Sequence, residues 1–142
     1  MIICSYGSTR TSVGSSDSPC LPTPFCLRQQ HARQALDRAR QLKLRGDEAL
    51  ALHQLGVVQA HADPPDIEQA EAHYQQALAL AEELGMRPLV AHCHLGLGTL
   101  YATTDQRQQA RAALTTAIDL YRDMDMTFWL PQAEAALAQV EG

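Results

Sequence analysis

Residues 87–126 read RPLVAHCHLGLGTLYATTDQRQQARAALTTAIDLYRDMDM. Apolar side chains recur here at three- and four-residue steps, in two runs that a short polar link around Asp105 separates. Because residues three and four apart share one face of an α-helix, the stretch predicts two amphipathic helices. One helix pair cannot cover its own apolar stripe, so we expect further pairs to stack against it.

The pattern repeats along the chain at a spacing of about forty residues. The Leu-Gly step at residues 55–56 also precedes the one at residues 97–98, and the prolines at 64–65 absorb two extra residues. The repetition predicts an all-α fold, an α-solenoid of antiparallel helix pairs with a repeat of about forty residues. The matched positions are Tyr74, Ala77, Leu84 and Met86 with Leu114, Ala117, Met124 and Met126, and Leu89, Val90, Cys93, Leu97 and Leu100 with Trp129, Leu130, Ala133, Leu137 and Val140.

Composition divides the chain into a tail and a repeat domain. Residues 1–26 are rich in Ser, Thr, Gly and Pro and show no periodicity, so we expect a disordered tail. Residues 27–142 form the predicted helical repeat domain. Its six predicted helices span residues 27–44, 47–61, 67–84, 88–102, 106–123 and 130–140.

Several residues mark the predicted helix ends. Asp66 suits the N-cap of the third helix, with Gln69 three residues later, and Gly85 suits its C-cap. Gly46 predicts the break between the first two helices. The first helix lacks an upstream pair-mate, so we expect its Leu36 and Leu42 to be partly exposed and the isolated chain to self-associate weakly through that helix, or to be of low stability.

Charge and cysteine usage narrow the classes of function. The formal net charge of −5 argues against direct nucleic-acid binding. No apolar run reaches the roughly 20 residues that a membrane helix needs, and the first ten residues make a poor secretory signal. The four cysteines contain no Cys-x-x-Cys pair and are expected to be reduced thiols. We therefore expect a cytoplasmic protein that contacts neither nucleic acid nor membrane.

Motifs that resemble chemical sites have simpler structural explanations. The glycines of Gly96-Leu97-Gly98 lie inside a predicted helix and lack a phosphate loop's Lys-Ser/Thr, so they indicate close helix packing. His92 and His94 are two residues apart and point to nearly opposite sides of a helix, unlike metal-binding histidines. We predict no catalytic, cofactor-binding or metal-ligating residues, and hence no enzyme.

The spacing Leu97-Gly98, Tyr101, Ala110 and Ala117 resembles the tetratricopeptide repeat (TPR) family in a long-repeat form. His94 replaces the family's early tryptophan, and Asp105 replaces its turn glycine. Residues 70–101 and 121–137 further resemble the C-terminal repeat region of large bacterial signalling ATPases that carry nucleotide-cyclase or LuxR-type DNA-binding domains. This resemblance implies a C-terminal fragment or a stand-alone remnant of such a protein.

The family resemblance also implies where a partner binds, because the first helix of each pair lines a concave surface in that family. We predict a non-catalytic protein–protein interaction module, a regulatory or scaffolding segment of a bacterial signalling protein that binds a protein or peptide without any cofactor. The alternative is a ligand-sensing regulatory domain coupled to an ATPase, cyclase or transcriptional output domain encoded upstream. The predicted concave binding surface comprises Leu50, His53, Val57, Ala60, His92, Leu95, Thr99 and Ala102.

Overall fold

A computed structural model describes residues 24–62 and 64–142 of the chain. These residues form six α-helices and no strand, which confirms the predicted all-α repeat fold. Residues 1–23, most of the predicted disordered tail, lie outside the described residues. The helices are α1 Pro24–Gln41, α2 Arg45–Ala60, α3 Ile67–Leu84, α4 Arg87–Thr103, α5 Arg107–Asp123 and α6 Leu130–Glu141.

The predicted boundaries hold where a cap residue marks them. The Asp66 side chain accepts a hydrogen bond from the Gln69 amide at 3.3 Å, and Gly85 ends α3 in the left-handed conformation with φ +71°. The predicted break at Gly46 is wrong. Gly46 lies in the first turn of α2, and the preceding turn contains Lys43 in the left-handed conformation. A non-glycine residue ends α1 there, so glycine was a misleading marker.

Four of the connections between helices use one turn geometry. Each has a single left-handed residue, and the amide that follows it donates to a carbonyl five residues back at 2.8–2.9 Å, as in a Schellman motif. This shared geometry places α1, α3 and α5 in register, because Ala39, Ala81 and Tyr121 are the equivalent acceptors. The left-handed residues are Lys43, Gly85, Asp105 and Asp125.

Substituting glycine for Lys43 should therefore stabilise the protein. A lysine Cβ crowds the backbone at φ +57°, and removing it should raise the free energy of unfolding by about 1 kcal/mol, measured by urea denaturation. Gly85→Ala is the reciprocal control, because nothing lies within 4 Å of the added Cβ and only the backbone at φ +71° is strained. Gly85→Ala should lose stability. An unchanged midpoint for both variants would contradict this reading of the turns.

The helices form two layers. The inner helices α2, α4 and α6 contact one another in sequence, whereas the outer helices α1, α3 and α5 contact only inner helices. Helices α2 and α3 make one antiparallel pair, and α4 and α5 make the next. The array is therefore concave on the side of α2, α4 and α6. The largest fully buried side chains are those of Tyr74, Tyr121, Leu55, Leu114 and Cys93.

Glycines allow the helices within a pair to approach closely, as the sequence predicts. A Cβ on Gly56 would lie 2.9 Å from the Tyr74 ring, and a Cβ on Gly98 would lie 2.5 Å from Leu114 Cγ. Gly96 is likewise covered by the Tyr74 ring. Each second helix therefore inserts a large side chain against a glycine of its own first helix.

Most apolar stripes match the predicted ones, with exceptions near α1 and at Leu84 of α3, which is predicted to be buried and is 39% exposed. Leu36 is 7% exposed because α2 covers it, so its predicted exposure is wrong, whereas Leu42 is 61% exposed as expected. The three- and four-residue periodicity also predicts Ala35 of α1 and Gln54 of α2 on the inward stripes, but both are exposed. The exposed Ala35, Leu42 and Gln54 line a cavity between α1 and α2. The cavity lies on the side of α1 that corresponds to the side of α3 covered by α2 and to the side of α5 covered by α4.

Candidate functional site

A groove of about 580 Å³ lies on the concave side of the described helices. Its walls come from α2 and α4, and its far end from the start of α6. Six residues of the predicted concave surface line it, namely Leu50, His53, Val57, His92, Leu95 and Thr99. The structure therefore brings these residues together in one groove, and their role in binding stays a prediction.

Two predicted residues lie elsewhere. Ala60 is half-buried and packs with Tyr74 and neighbouring apolar residues, and Ala102 is exposed beside a smaller recess near Asp105. Ala60 follows Gly56 by four residues and shares the helix face that packs on Tyr74, whereas the recess beside Ala102 is lined by Thr99 and by Ala136 and Gln139 of α6. The prediction extended the groove one turn too far along both helices.

The groove also contains residues that the sequence analysis placed in the core or did not place. The repeat spacing matches Trp129 with Leu89 and predicts it in the core; Trp129 is half-buried against the core and also reaches the groove from the start of α6. Gln132 follows His92 by forty residues, so the repeat spacing carried a signal for it. The other additional lining residues are Gln54, His61, Tyr74, Leu89 and Gly96.

Rings form a continuous row along the floor of the groove. The His92 ring contacts Trp129 edge-on, with centroids 4.7 Å apart, and lies 6.2 Å from the His53 ring. His53 in turn lies 5.6 Å from the Tyr74 ring. The hydroxyl of Tyr121 and Nδ1 of His92 share a hydrogen bond of 2.7 Å, which fixes the imidazole from below. Helices α2 to α5 and the residue that precedes α6 thus supply this ring row.

The groove carries no formal charge at neutral pH. None of its lining residues is Asp, Glu, Lys or Arg. Burial lowers the pKa of His53 to about 4, helped by the neighbouring His92, and burial also lowers the pKa of His92. Burial raises the pKa of the Tyr74 hydroxyl. The floor therefore offers neutral rings and a few hydrogen-bonding groups rather than charges.

The residues beside His92 do not form a reactive or metal-binding cluster. Cys93 is fully buried, and burial raises the pKa of its thiol to about 12, so it stays protonated. His94 interacts with Glu82 of α3, away from the groove. Among residues 24–62 and 64–142, no three His, Cys, Asp or Glu side chains are placed to hold a metal ion.

In the same ranges, no helix is both long and apolar enough to cross a bilayer.

Part of the helical array matches a known protein family. Residues 66–123, which comprise α3, α4 and α5, match the tetratricopeptide repeat family model. Tetratricopeptide repeats generally act as non-catalytic modules that bind other proteins. A search of curated proteins found no match to the chain. The match includes Asp105, which takes the left-handed turn conformation where the repeat family has glycine.

Proposed function

We propose that the concave groove binds an uncharged segment of a protein partner, and that the domain acts as a non-catalytic TPR interaction module. The absence of formal charge from the groove lining is the observation that carries this proposal. A charged side chain entering such a groove would lose its hydration without gaining an ion partner. The bound segment therefore presents apolar and uncharged polar side chains.

The ring row defines how such a segment is held. Trp129 and His92 offer ring surfaces beside the apolar side chains of Leu50, Val57 and Leu95. Aromatic surfaces of this kind contribute much of the binding energy at protein interfaces. Thr99 and Gln132 at the same groove supply uncharged hydrogen-bonding groups that set the orientation of the segment.

The biological setting is part of the same proposal. We place the module in a bacterial signalling protein, as a cytoplasmic regulatory or scaffolding segment, because residues 70–101 and 121–137 resemble the repeat regions of signalling ATPases. It would act by holding a partner, or another part of the signalling chain, against its concave face. Neither nucleic acid nor membrane is a direct partner in this proposal.

A ligand-sensing role is the second candidate, and the groove volume favours it. A volume of about 580 Å³ lies within the range of small-molecule sites, and its lining is largely apolar. A metabolite bound beside Trp129 would raise the melting temperature by mass action. A thermal-shift screen against a metabolite panel tests this candidate, and no shift across the panel counts against it.

Charging the groove tests the proposed peptide binding. A random peptide library displayed on phage is selected on the immobilised protein, and we expect enriched peptides with few charged residues at the contacting positions. The double variant Thr99→Glu/Gln132→Glu adds two charges to exposed groove residues and should weaken the selected peptides at least about tenfold.

The matched control makes the same substitutions on the outer layer. Thr116 on α5 and Gln76 on α3 are exposed, and the Thr116 hydroxyl donates to the carbonyl four residues earlier, as that of Thr99 does. Thr116→Glu/Gln76→Glu should keep full affinity. The proposal fails if no peptide is enriched, or if the two double variants bind the selected peptides equally well.

A further inference from the structure

The described array begins and ends with a helix that lacks the neighbour its equivalents have. α3 packs against α2 and α5 packs against α4 as the second helix of a pair, whereas α1 contacts α2 alone. At the other end, α6 follows α4 by forty residues and packs as the first helix of a pair, against α5 and α4. One terminal helix is thus a second helix without its first, and the other is a first helix without its second.

Both helices expose the face that their equivalents bury. Ala35 of α1 is exposed, whereas Ala77 and Ala117 at the equivalent positions of α3 and α5 are fully buried. On α6, Pro131 and Ala138 are exposed, whereas the equivalent Ala91 and Gly98 of α4 are buried. A cavity of about 360 Å³ with a mainly apolar lining marks the uncovered side of α1 and α2. The lining residues are Ala32, Ala35, Arg38, Ala39, Leu42, Leu44, Asp47, Leu50, Ala51 and Gln54.

We propose that α6 of one copy of the chain docks into this cavity on α1 and α2 of a second copy. The docked α6 supplies the missing first helix, and α1 supplies the missing second helix. Together they form a composite helix pair that continues the repeat stacking from one chain into the next. The surface adjoins the concave groove and shares Leu50 and Gln54 with it, whereas the rest of its lining comes from α1, the turn after it and α2.

The sizes of the facing side chains support a second copy as the occupant. Within each described pair, a glycine of the first helix faces a large side chain of the second, Gly56 with Tyr74 and Gly98 with Leu114. In the composite pair, Ala138 takes the glycine position and Ala32 takes the large position. Both positions of the composite pair thus hold small side chains, so the two helices can approach without overlap.

The charges of the composite pair are also matched. The described pairs are each bridged at one end by an ion pair, Arg45 with Glu83 and Arg87 with Asp123. The equivalent positions in the composite pair hold Thr127 and Gln41, so both members of the ion pair are replaced by uncharged groups together. At this end of the contact neither helix leaves an unpaired charge, whereas Arg38 and Asp47 also line the cavity.

The two helices carry opposite net charge. α1 contains four arginines and one aspartate, which gives +3, and α6 contains two glutamates and no cation, which gives −2. By the repeat spacing, Arg28 of α1 is equivalent to Ala110 of α5, and Glu141 of α6 is equivalent to Tyr101 of α4. Ala110 belongs to a cluster that packs with Tyr101. Arg28 and Glu141 thus face one another across the composite pair, and the charges favour α6 over a second α1 as the occupant.

The proposed contact joins unlike surfaces, so it does not close after two copies. The weight-average mass of the full chain in analytical ultracentrifugation should rise with concentration and pass twice the monomer mass by about 1 mM, the scale of a weak interface. A chain that stays monomeric up to that concentration overturns the proposal. In that case the exposed faces of α1 and α6 would be covered by helices of a different polypeptide. A mass that stops at a dimer overturns the head-to-tail arrangement.

Mixing two blocked variants gives the decisive test. Ala35→Glu blocks the α1 end and Ala138→Glu blocks the α6 end, and each variant alone should be monomeric. In an equimolar mixture, the intact α6 of the first variant meets the intact α1 of the second, so a heterodimer should form and grow no further. The formation of that heterodimer also shows that both variants fold. The control Ala112→Glu changes an exposed alanine of α5 and should associate as the parent does.

The remaining outcomes overturn the proposal. If Ala138→Glu alone still forms dimers, the association uses α1 against α1 and not α6. If the mixture stays monomeric while the parent chain associates, the contact lies on another surface. If Ala112→Glu abolishes association as the two blocked variants do, the effect comes from added charge and not from the composite pair.

Discussion

Replacing Gly98 with alanine is expected to lower the free energy of unfolding by about 2 kcal/mol, although alanine is the better helix former. The added Cβ would lie 2.5 Å from Leu114 Cγ and 2.7 Å from Leu114 Cδ2. The Leu114 backbone nitrogen is also close, at 3.3 Å, so the side chain cannot relieve the overlap by rotating its far end alone. Helices α4 and α5 would have to separate, and urea denaturation measures the cost.

Gly46→Ala is the matched control for this prediction. Gly46 also lies in a helix, but its added Cβ would meet only Met86 Sδ at 3.8 Å, an ordinary contact. Its stability should therefore stay level or rise by up to about 1 kcal/mol, because only the helix propensity changes. If Gly98→Ala were as stable as Gly46→Ala, the close packing of the α4–α5 pair would be wrong.

The protein should also lose stability steeply between about pH 6.5 and pH 4, and His53 is the main cause. The pKa of His53 is lowered to about 4 in the folded state, whereas the unfolded chain has the ordinary histidine value of 6.5. The unfolded state therefore binds the proton first as the pH falls. This contribution is fully present above pH 6.5 and lost as the pH falls towards 4, and it amounts to about 3 kcal/mol.

Substituting His53 isolates this effect. His53→Leu removes the titrating group, so the free energy of unfolding should fall less between pH 7.5 and pH 4.5 than in the parent protein. His73, His92 and His94 also have pKa values lowered by burial, so part of the acid loss should remain. Equal pH dependence in the two proteins would contradict the burial of His53.

The sequence predicted the repeat fold well because its strongest signals are local. Helix α3 has the predicted bounds, since Asp66 caps its start and Gly85 ends it. The boundary between α1 and α2 was misplaced because Lys43, not a glycine, takes the left-handed conformation there. A lysine gives no local signal for that conformation, so only the tertiary stacking of α1 on α2 determines it.

The candidate groove was predictable only in part. Helical periodicity and the family resemblance placed His53 and His92 on one concave surface, and the structure puts their rings 6.2 Å apart. The role of Trp129 was missed, because periodicity marks its position as apolar but does not show whether the ring faces the core or the groove. That choice depends on how α6 stacks on α4, which no local pattern contains.

The contacts of the ring row test the stacked arrangement most directly. Trp129 is the only tryptophan, so its indole resonances are unambiguous in a nuclear Overhauser spectrum of the protein. The account predicts cross-peaks from the Trp129 indole to the His92 ring, together with His92 to Tyr121 and His53 to Tyr74, since these ring centroids lie 4.7–5.6 Å apart. Helical circular dichroism without these cross-peaks would show that the helices form but do not stack around this groove, and would contradict the account.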